Sequence, residues 1–260
     1  MPSIYQWSET EILLFVLTFL RITALISSFP IFGIQSVPNS TKVLLSLVMG
    51  IVLFPSVKVN NANFAGDLNS GIMWLAFREV LIGIILGSIA RLYFMSINVA
   101  GQIMSTSLGL SAAQMFNPME GTQSNTLEQF HVTLAMLLFL GFDGHHILLT
   151  AINESFRVLP MSFDMLKLEG VKSAAVMGSD ILSLGLRISA PIVVALFLTQ
   201  VSMGVIGRVV PQINVLVTSL HLTIIIGLFV IFVTLPYFLE GVHEMEREMG
   251  EHLFRIMKEM

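Results

Sequence analysis

From Val209 to Leu239 the chain runs 31 residues without one Asp, Glu, Lys or Arg. Wound as a helix at about 1.5 Å per residue, such a stretch outreaches the ~30 Å hydrocarbon layer of a bilayer. Ile188 to Gly207 adds another 20 charge-free residues, bounded by Arg187 and Arg208. Composition makes the same point across all 260 residues: 55% are hydrophobic, only 12% are charged, and the mean hydropathy is +0.84. Roughly a quarter of an ordinary globular domain is charged. A soluble monomer with so little polar surface could not cover its exterior, so lipid or a large partner interface must do so. Backbone in lipid has to satisfy its own hydrogen bonds, which leaves helices or closed barrels. The alternation a barrel strand needs is absent. The expected fold is all-α, a multi-helix integral membrane protein.

Apolar blocks fall at about 11–33, 43–57, 72–97, 129–151, 176–207 and 213–239. Pro30, Pro38, Pro55, Pro160, Pro211 and Pro236 sit at or near block ends, where a missing N–H is tolerated. Pro191 lies inside a block and is expected to kink it or to mark its first turn. Residues 58–71 read as a polar Asn/Gly loop, and 154–180 as a charged, partly helical connection. The last 21 residues carry 6 of the 17 acidic groups. Met245, Met249, Leu253, Ile256 and Met257 recur there at three to four residues, predicting an amphipathic helix that leaves the apolar body. At the other end no basic n-region precedes the apolar run, because Glu9 and Glu11 come before Arg21. The first block is therefore expected to stay in the mature protein.

Arg21, Arg78, Glu79 and Arg91 interrupt the blocks, and an Arg near the centre of a span costs about 2.5–3.5 kcal/mol on insertion scales. Arg78 and Glu79 are neighbours, so on a helix they should point ~100° apart rather than at each other. Arg91 lies about 18 Å along the helix from Glu79 and cannot pair with it there. Either each group meets a partner on another helix or subunit, or it marks a block end and snorkels to water.

The region from Leu92 to Met119 has no charge but many small residues, among them Gly101, Ser105, Ser107, Gly109, Ser111, Ala112 and Ala113. Asn117-Pro118 should end any helix. Irregular backbone at membrane depth is tolerated where it is buried in protein or lines a cavity. Leu108, Leu110, Met115 and Phe116 favour a buried or pore-facing loop over a simple surface loop, and methionine suits deformable apolar contacts.

Several chemistries are excluded or unsupported. The chain has no cysteine, which removes disulfides, thiolate catalysis and Cys-ligated metals. Residues 1–239 hold 10 basic and 11 acidic groups, so there is no basic face for nucleic acid. Phosphate-binding glycine loops and the GxSxG elbow are missing. Asp143, His145, His146 and Glu154 are the best metal candidates, but they lack the HExxH spacing that sets two imidazoles on one helical face. Adjacent histidines should diverge by ~100° on a helix. The expectation is a polar turn or interhelical hydrogen bonds, with no metal or other cofactor and no catalytic constellation. His221, alone in its apolar block, reads as a hydrogen-bonded packing residue. Gly83-xxx-Gly87 permits a close helix approach.

Taken together, LRITALISSFPIFG, VPNSTK, REVLIGIILG, GQIMSTSLGLSAAQMFNP, GFDGHH and APIVVALFLTQVSMGVIGRVVPQINV resemble the FliR family of type III secretion export-gate proteins, with its injectisome relatives of the SpaR/YscT/SctT type. The last phrase is the most specific, with Ala190, Pro191, Gly204, Arg208, Pro211, Gln212 and Asn214 in the family's order. Asn117 stands where the family often has Asp.

The resemblance implies a FliP-like helical part at 1–180, a FliQ-like helical hairpin at 181–239, and a charged amphipathic tail at 240–260. It implies a plug loop at about 101–120, with Leu108, Gly109, Leu110, Met115 and Phe116 as its candidates. Arg21, Lys42, Arg78, Glu79, Arg91, Arg208, Gln212 and Asn214 become candidates for polar contacts between helices or subunits. It further implies assembly with FliP, FliQ, FlhB and FlhA homologues and membrane lipids, in the bacterial inner membrane at the flagellar basal body. The role would be a passive conduit for unfolded export substrates, not an enzyme.

Two other classes stand beside that reading. A small secondary transporter would use the intramembrane charges as substrate sites and should show inverted repeats, which the sequence lacks. An intramembrane metalloenzyme would need His145 and His146 to bind a metal. If all six blocks span, Lys58, Arg157, Lys167, Lys172 and the three basic residues of the tail share one side. Lys42 and Arg208 then lie opposite, and the positive-inside rule favours a cytoplasmic C-terminus.

Overall fold

A computed structural model describes residues 8–30, 37–61, 71–109, 126–163, 168–210, 212 and 214–260. Among these there are eight helices and no strand: α1 Glu9–Ser28, α2 Asn39–Asn60, α3 Ile72–Ser107, α4 Thr126–Gly141, α5 Gly144–Val158, α6 Leu168–Val209, α7 Val215–Val233 and α8 Leu235–Glu259. The all-α expectation holds. Four helical segments are long and apolar enough to cross a membrane: α1, α2, α3 and Met177–Val209 of α6. Two bent pairs, α4 with α5 and α7 with α8, bring the number to six if each pair is one span. The described helices make a multi-pass membrane protein.

Local chemistry sets the boundaries. Ser8 and Glu11 form a reciprocal capping box at the start of α1, each side chain accepting from the other's backbone N–H at 3.2 Å. The block read at 129–151 is broken, because Asp143 takes a left-handed φ of 62° between α4 and α5. The 31-residue charge-free stretch is not one rod either. It begins α7 only at Val215, where Asn214 accepts from the Val217 N–H, and it bends by 59° near Thr234. Pro191 neither ends α6 nor opens it. A proline deprives the carbonyl four residues earlier of its helical donor. That carbonyl belongs to Arg187, and the Tyr237 hydroxyl donates to it at 3.3 Å.

The chain packs as two compact units. One comprises residues 1–92, 143–177 and 248–260, and the other 93–142 and 178–247. In the first, α3 lies so close to α1 that a Cβ on Gly83 would stand 2.4 Å from the Arg21 carbonyl oxygen, and one on Gly87 would stand 2.6 Å from Ser28 Cβ. The GxxxG spacing therefore does make a close approach. Around this seam are buried Leu17, Ile22, Ile82, Leu86 and Phe156. Phe15 meets Phe54 edge-on at 5.6 Å, which joins α1 to α2.

The second unit repeats the device. A Cβ on Gly101 would meet Glu128 Cα at 2.8 Å, and one on Gly185 would meet the Ser96 carbonyl at 2.9 Å, so α3 receives both α4 and α6 at close range. Phe94 and Phe139 fill the space beside that contact with centroids 5.3 Å apart.

The C-terminal segment corrects the sequence reading. It is an amphipathic helix, but it does not leave the apolar body: Met245, Met249, Leu253, Ile256 and Met257 are all buried. Glu246 is buried with them, and its Oε1 has no hydrogen-bond partner. Its Oε2 has His243 Nδ1 at 3.9 Å. Beyond the apolar run that ends at Leu239, burial pushes this carboxyl up from 4.5 to about 7. A folded pKa above the unfolded one means that stability is full below pH 4.5 and is lost as pH rises through about 7. The loss is on the order of 3 kcal/mol at most. Denaturation of the purified protein between pH 5 and 8 should show this decline, and Glu246→Gln should flatten it. An equal slope in the variant would mean that another group is responsible.

Candidate functional site

The first unit is organised around buried charge. Arg21, just past the middle of α1, is 1% exposed, and Glu79 of α3 is fully buried. Arg21 Nε donates to Glu79 Oε2 at 2.5 Å. The remaining guanidinium donors go to the C-terminal end of α5. Nη1 donates to the Ser155 carbonyl at 2.9 Å and to Ser155 Oγ at 3.2 Å, and Nη2 donates to the Leu159 carbonyl at 2.9 Å. The guanidinium also lies 4.3 Å from the centroid of the Phe156 ring, which adds a cation–π contact in a dry site. Arg78 Nη1 donates to the Pro160 carbonyl at 2.9 Å and lies 3.5 Å from Glu79 Oε1.

The electrostatics follow from where α5 stops. A helix ends with carbonyls that lack intrahelical donors and carry about half a negative charge between them. Pro160 follows two residues after Val158; Arg21 and Arg78 take the Leu159 and Pro160 carbonyls beyond the helix end, and Arg21 shares the Ser155 carbonyl with the Leu159 N–H. Two guanidinium groups and one carboxylate leave one net positive charge, and the carbonyl end of α5 compensates it. Desolvating such ions is expensive, and only a fully hydrogen-bonded arrangement keeps them charged. Flanking polar contacts tie α2 to α5 and the segment after it: Ser56 Oγ donates to Asn153 Oδ1 at 2.9 Å, and the Met161 N–H donates to Asn61 Oδ1 at 2.8 Å.

Arg21, Arg78 and Glu79 are thus brought together, and the alternative of snorkelling to water is excluded for them. The expectation that Arg78 and Glu79 point apart is modified. Their Cβ directions diverge, yet the long guanidinium reaches back to the carboxylate. The partners are helices of the same chain. Arg91 and Arg208 are exposed, with no ion pair among the described residues, and Lys42 is half-buried on α2. Gln212 is exposed, and Asn214 serves as the N-cap of α7.

In the second unit, Leu108 is 1% exposed and Gly109 follows it with φ 76°, a left-handed turn that closes α3. A Cβ on Gly227 would fall 1.9 Å from Leu108 Cδ2, so this leucine sits against the bare backbone of α7. Gln200 of α6 donates to the Ser107 carbonyl at 3.4 Å. Leu110, Met115 and Phe116 lie outside the described residues.

Sequence reasoning missed Ser155, Phe156, Leu159 and Pro160 as partners of the arginines. Carbonyl acceptors leave no residue-type signal, and the one legible hint was Pro160 ending an apolar helix. Asp143, His145 and His146 also lie together, whereas Glu154 pairs with Arg157 instead.

A bundle of apolar helices long enough to cross a membrane, with buried ion pairs between them, belongs to the class of multi-pass membrane proteins. Residues 12–249 match the family described as bacterial export proteins, family 1. The chain is 30% identical over 218 residues to the flagellar biosynthetic protein FliR of Pectobacterium carotovorum subsp. carotovorum, covering 84% of this chain and 82% of that protein. It is equally identical over 222 residues to FliR of Bacillus subtilis strain 168, with 84% and 85% covered. FliR of Escherichia coli K12 matches at 30% over 217 residues, with 84% and 82% covered. The chain belongs to the FliR family of bacterial export proteins.

The buried cluster is tested by a pair of substitutions. Arg21→Met should cost about 3–5 kcal/mol of unfolding free energy, because it strands Glu79. Adding Glu79→Leu should recover more than half of that loss. Equilibrium unfolding in detergent measures both, and a double variant no better than the single one would contradict an ion-pair origin.

Proposed function

We propose that this protein is a component of the flagellar type III export apparatus, where it forms part of the channel for unfolded substrates together with FliP- and FliQ-like partners. The observation that carries the reading is the family match across residues 12–249, nearly the whole chain. The reading places the chain in the bacterial inner membrane at the base of the flagellum, next to FlhA- and FlhB-like proteins. The 1–180 part is FliP-like in this proposal, 181–239 is the FliQ-like hairpin, and 240–260 is a charged amphipathic tail.

Physical features support a scaffold and conduit over a transporter or an enzyme. Arg21, Arg78 and Glu79 are buried and paired across helices, so their charges serve packing rather than a substrate. Long apolar faces on α6 and α7 stay uncovered, including Phe197, Leu198, Val201, Ile225, Phe229 and Phe232. Neighbouring subunits or lipid must cover them. Arg91 and Arg208, exposed on otherwise apolar helices, suit polar contacts with such neighbours.

Leu108 and Gly109 begin the segment proposed as the plug, continuing through Leu110, Met115 and Phe116. An apolar, methionine-bearing seal can deform around varied cargo without paying to desolvate charge. Deleting residues 106–116 should leave assembly intact and raise ion leakage through the membrane. Growth and membrane-potential dyes in cells carrying the deletion would register this, and an unchanged ion barrier would contradict the plug.

A further inference from the structure

The turn that opens α5 brings together three metal-ligating side chains that the sequence spacing argued apart. On a regular helix the His145 and His146 side chains leave the backbone ~100° apart. Here the rings turn back toward each other, with centroids 4.2 Å apart and planes 35° from parallel. Asp143 makes this possible. It is the one described non-glycine residue with positive φ, and its Oδ1 lies 3.3 Å from His146 Nδ1 and 3.9 Å from His145 Nε2. One donor atom from each of the three residues lies within 4.8 Å of the others. None of the three side chains makes a hydrogen bond among the described residues.

We propose that Asp143, His145 and His146 bind a divalent first-row transition metal ion. Around such an ion, with bonds of about 2.0–2.2 Å, neighbouring ligand atoms stand about 3.0–3.5 Å apart. The Asp143–His146 separation is already in that range, and the His145 ring has to move closer to complete the set. Two imidazoles and a carboxylate select zinc, cobalt, nickel or copper over magnesium or calcium, which prefer all-oxygen sites. His145 Nδ1 is buried without a partner, so Nε2 is the nitrogen that faces the other two ligands. The side chains are 71%, 42% and 64% exposed in sequence order, so an ion reaches them from solution and keeps water in its open positions.

The helix dipole sets the strength. A cation at a helix N-terminus meets the positive end of the dipole, and the Asp143 carboxylate offsets it. Micromolar affinity is expected rather than the tighter binding of a closed structural site. The consequence is mechanical. The ion ties the residue before α5 to its first turn, while Arg21 holds the carbonyls at the opposite end of the same helix. Both ends of α5 are then fixed by charge.

The experiment is a titration of the full chain, purified in detergent free of chelator, with Zn²⁺ by calorimetry and with Co²⁺ by visible absorption. One ion per chain is expected, with ligand-field bands for cobalt. Asp143→Asn and His146→Ala should each weaken binding at least tenfold, and His221→Ala should leave it unchanged. Asp143→Asn is nearly isosteric at an exposed position, so it keeps the test valid if the histidine variant fails to fold. Unchanged affinity in Asp143→Asn, or no binding by the unmodified chain below millimolar ion, would overturn the proposal.

Discussion

Burying two guanidinium groups and a carboxylate among apolar helices is only tolerable when the charges meet each other and backbone acceptors, and that requirement shapes the geometry of the first unit. Arg21 reaches Glu79 because α1 and α3 touch, and they touch because Gly83 and Gly87 present no side chain to the α1 backbone. The same guanidinium needs the exposed carbonyls of α5, so α5 must end beside it. Close packing, helix termination and charge satisfaction are therefore one arrangement. Removing any of them leaves an ion without its partners in a place water does not reach.

Much of this was legible in the residues. The all-helical class followed from the charge-free stretches, because backbone in lipid has few options. Arg21, Arg78 and Glu79 stood out as ions in apolar blocks, and Gly83-xxx-Gly87 as a site of close approach. The S-x-x-E box at Ser8 was equally available, four residues that anticipate their own hydrogen bonds. What the residues could not give was who meets whom. The partners of Arg21 are mostly backbone carbonyls, which every residue possesses. Their availability depends on where α5 ends in three dimensions.

The misreadings have a common physical source: periodicity describes a helix but not its continuity or its neighbours. The stretch from Val209 to Leu239 looked like one long rod, yet a local turn near Thr234 bends it. Pro191 does not open a helix, because α6 runs through it, and Tyr237 donates to the carbonyl that the proline leaves without its helical donor. The amphipathic pattern of the tail was read correctly, but not the surface that its methionines cover. His145 and His146 were judged by their Cβ directions, although side-chain torsions can bring adjacent rings together.

Arg21, Arg78 and Glu79 meet their partners inside the chain, so the demand for outside partners falls on the uncovered apolar faces of α6 and α7 and on the exposed Arg91 and Arg208. Native mass measurement of the protein extracted from its own membrane in mild detergent tests that demand most directly. The account predicts a discrete heteromeric particle that retains FliP- and FliQ-like subunits. A monodisperse, stable monomer with no retained partner would contradict it.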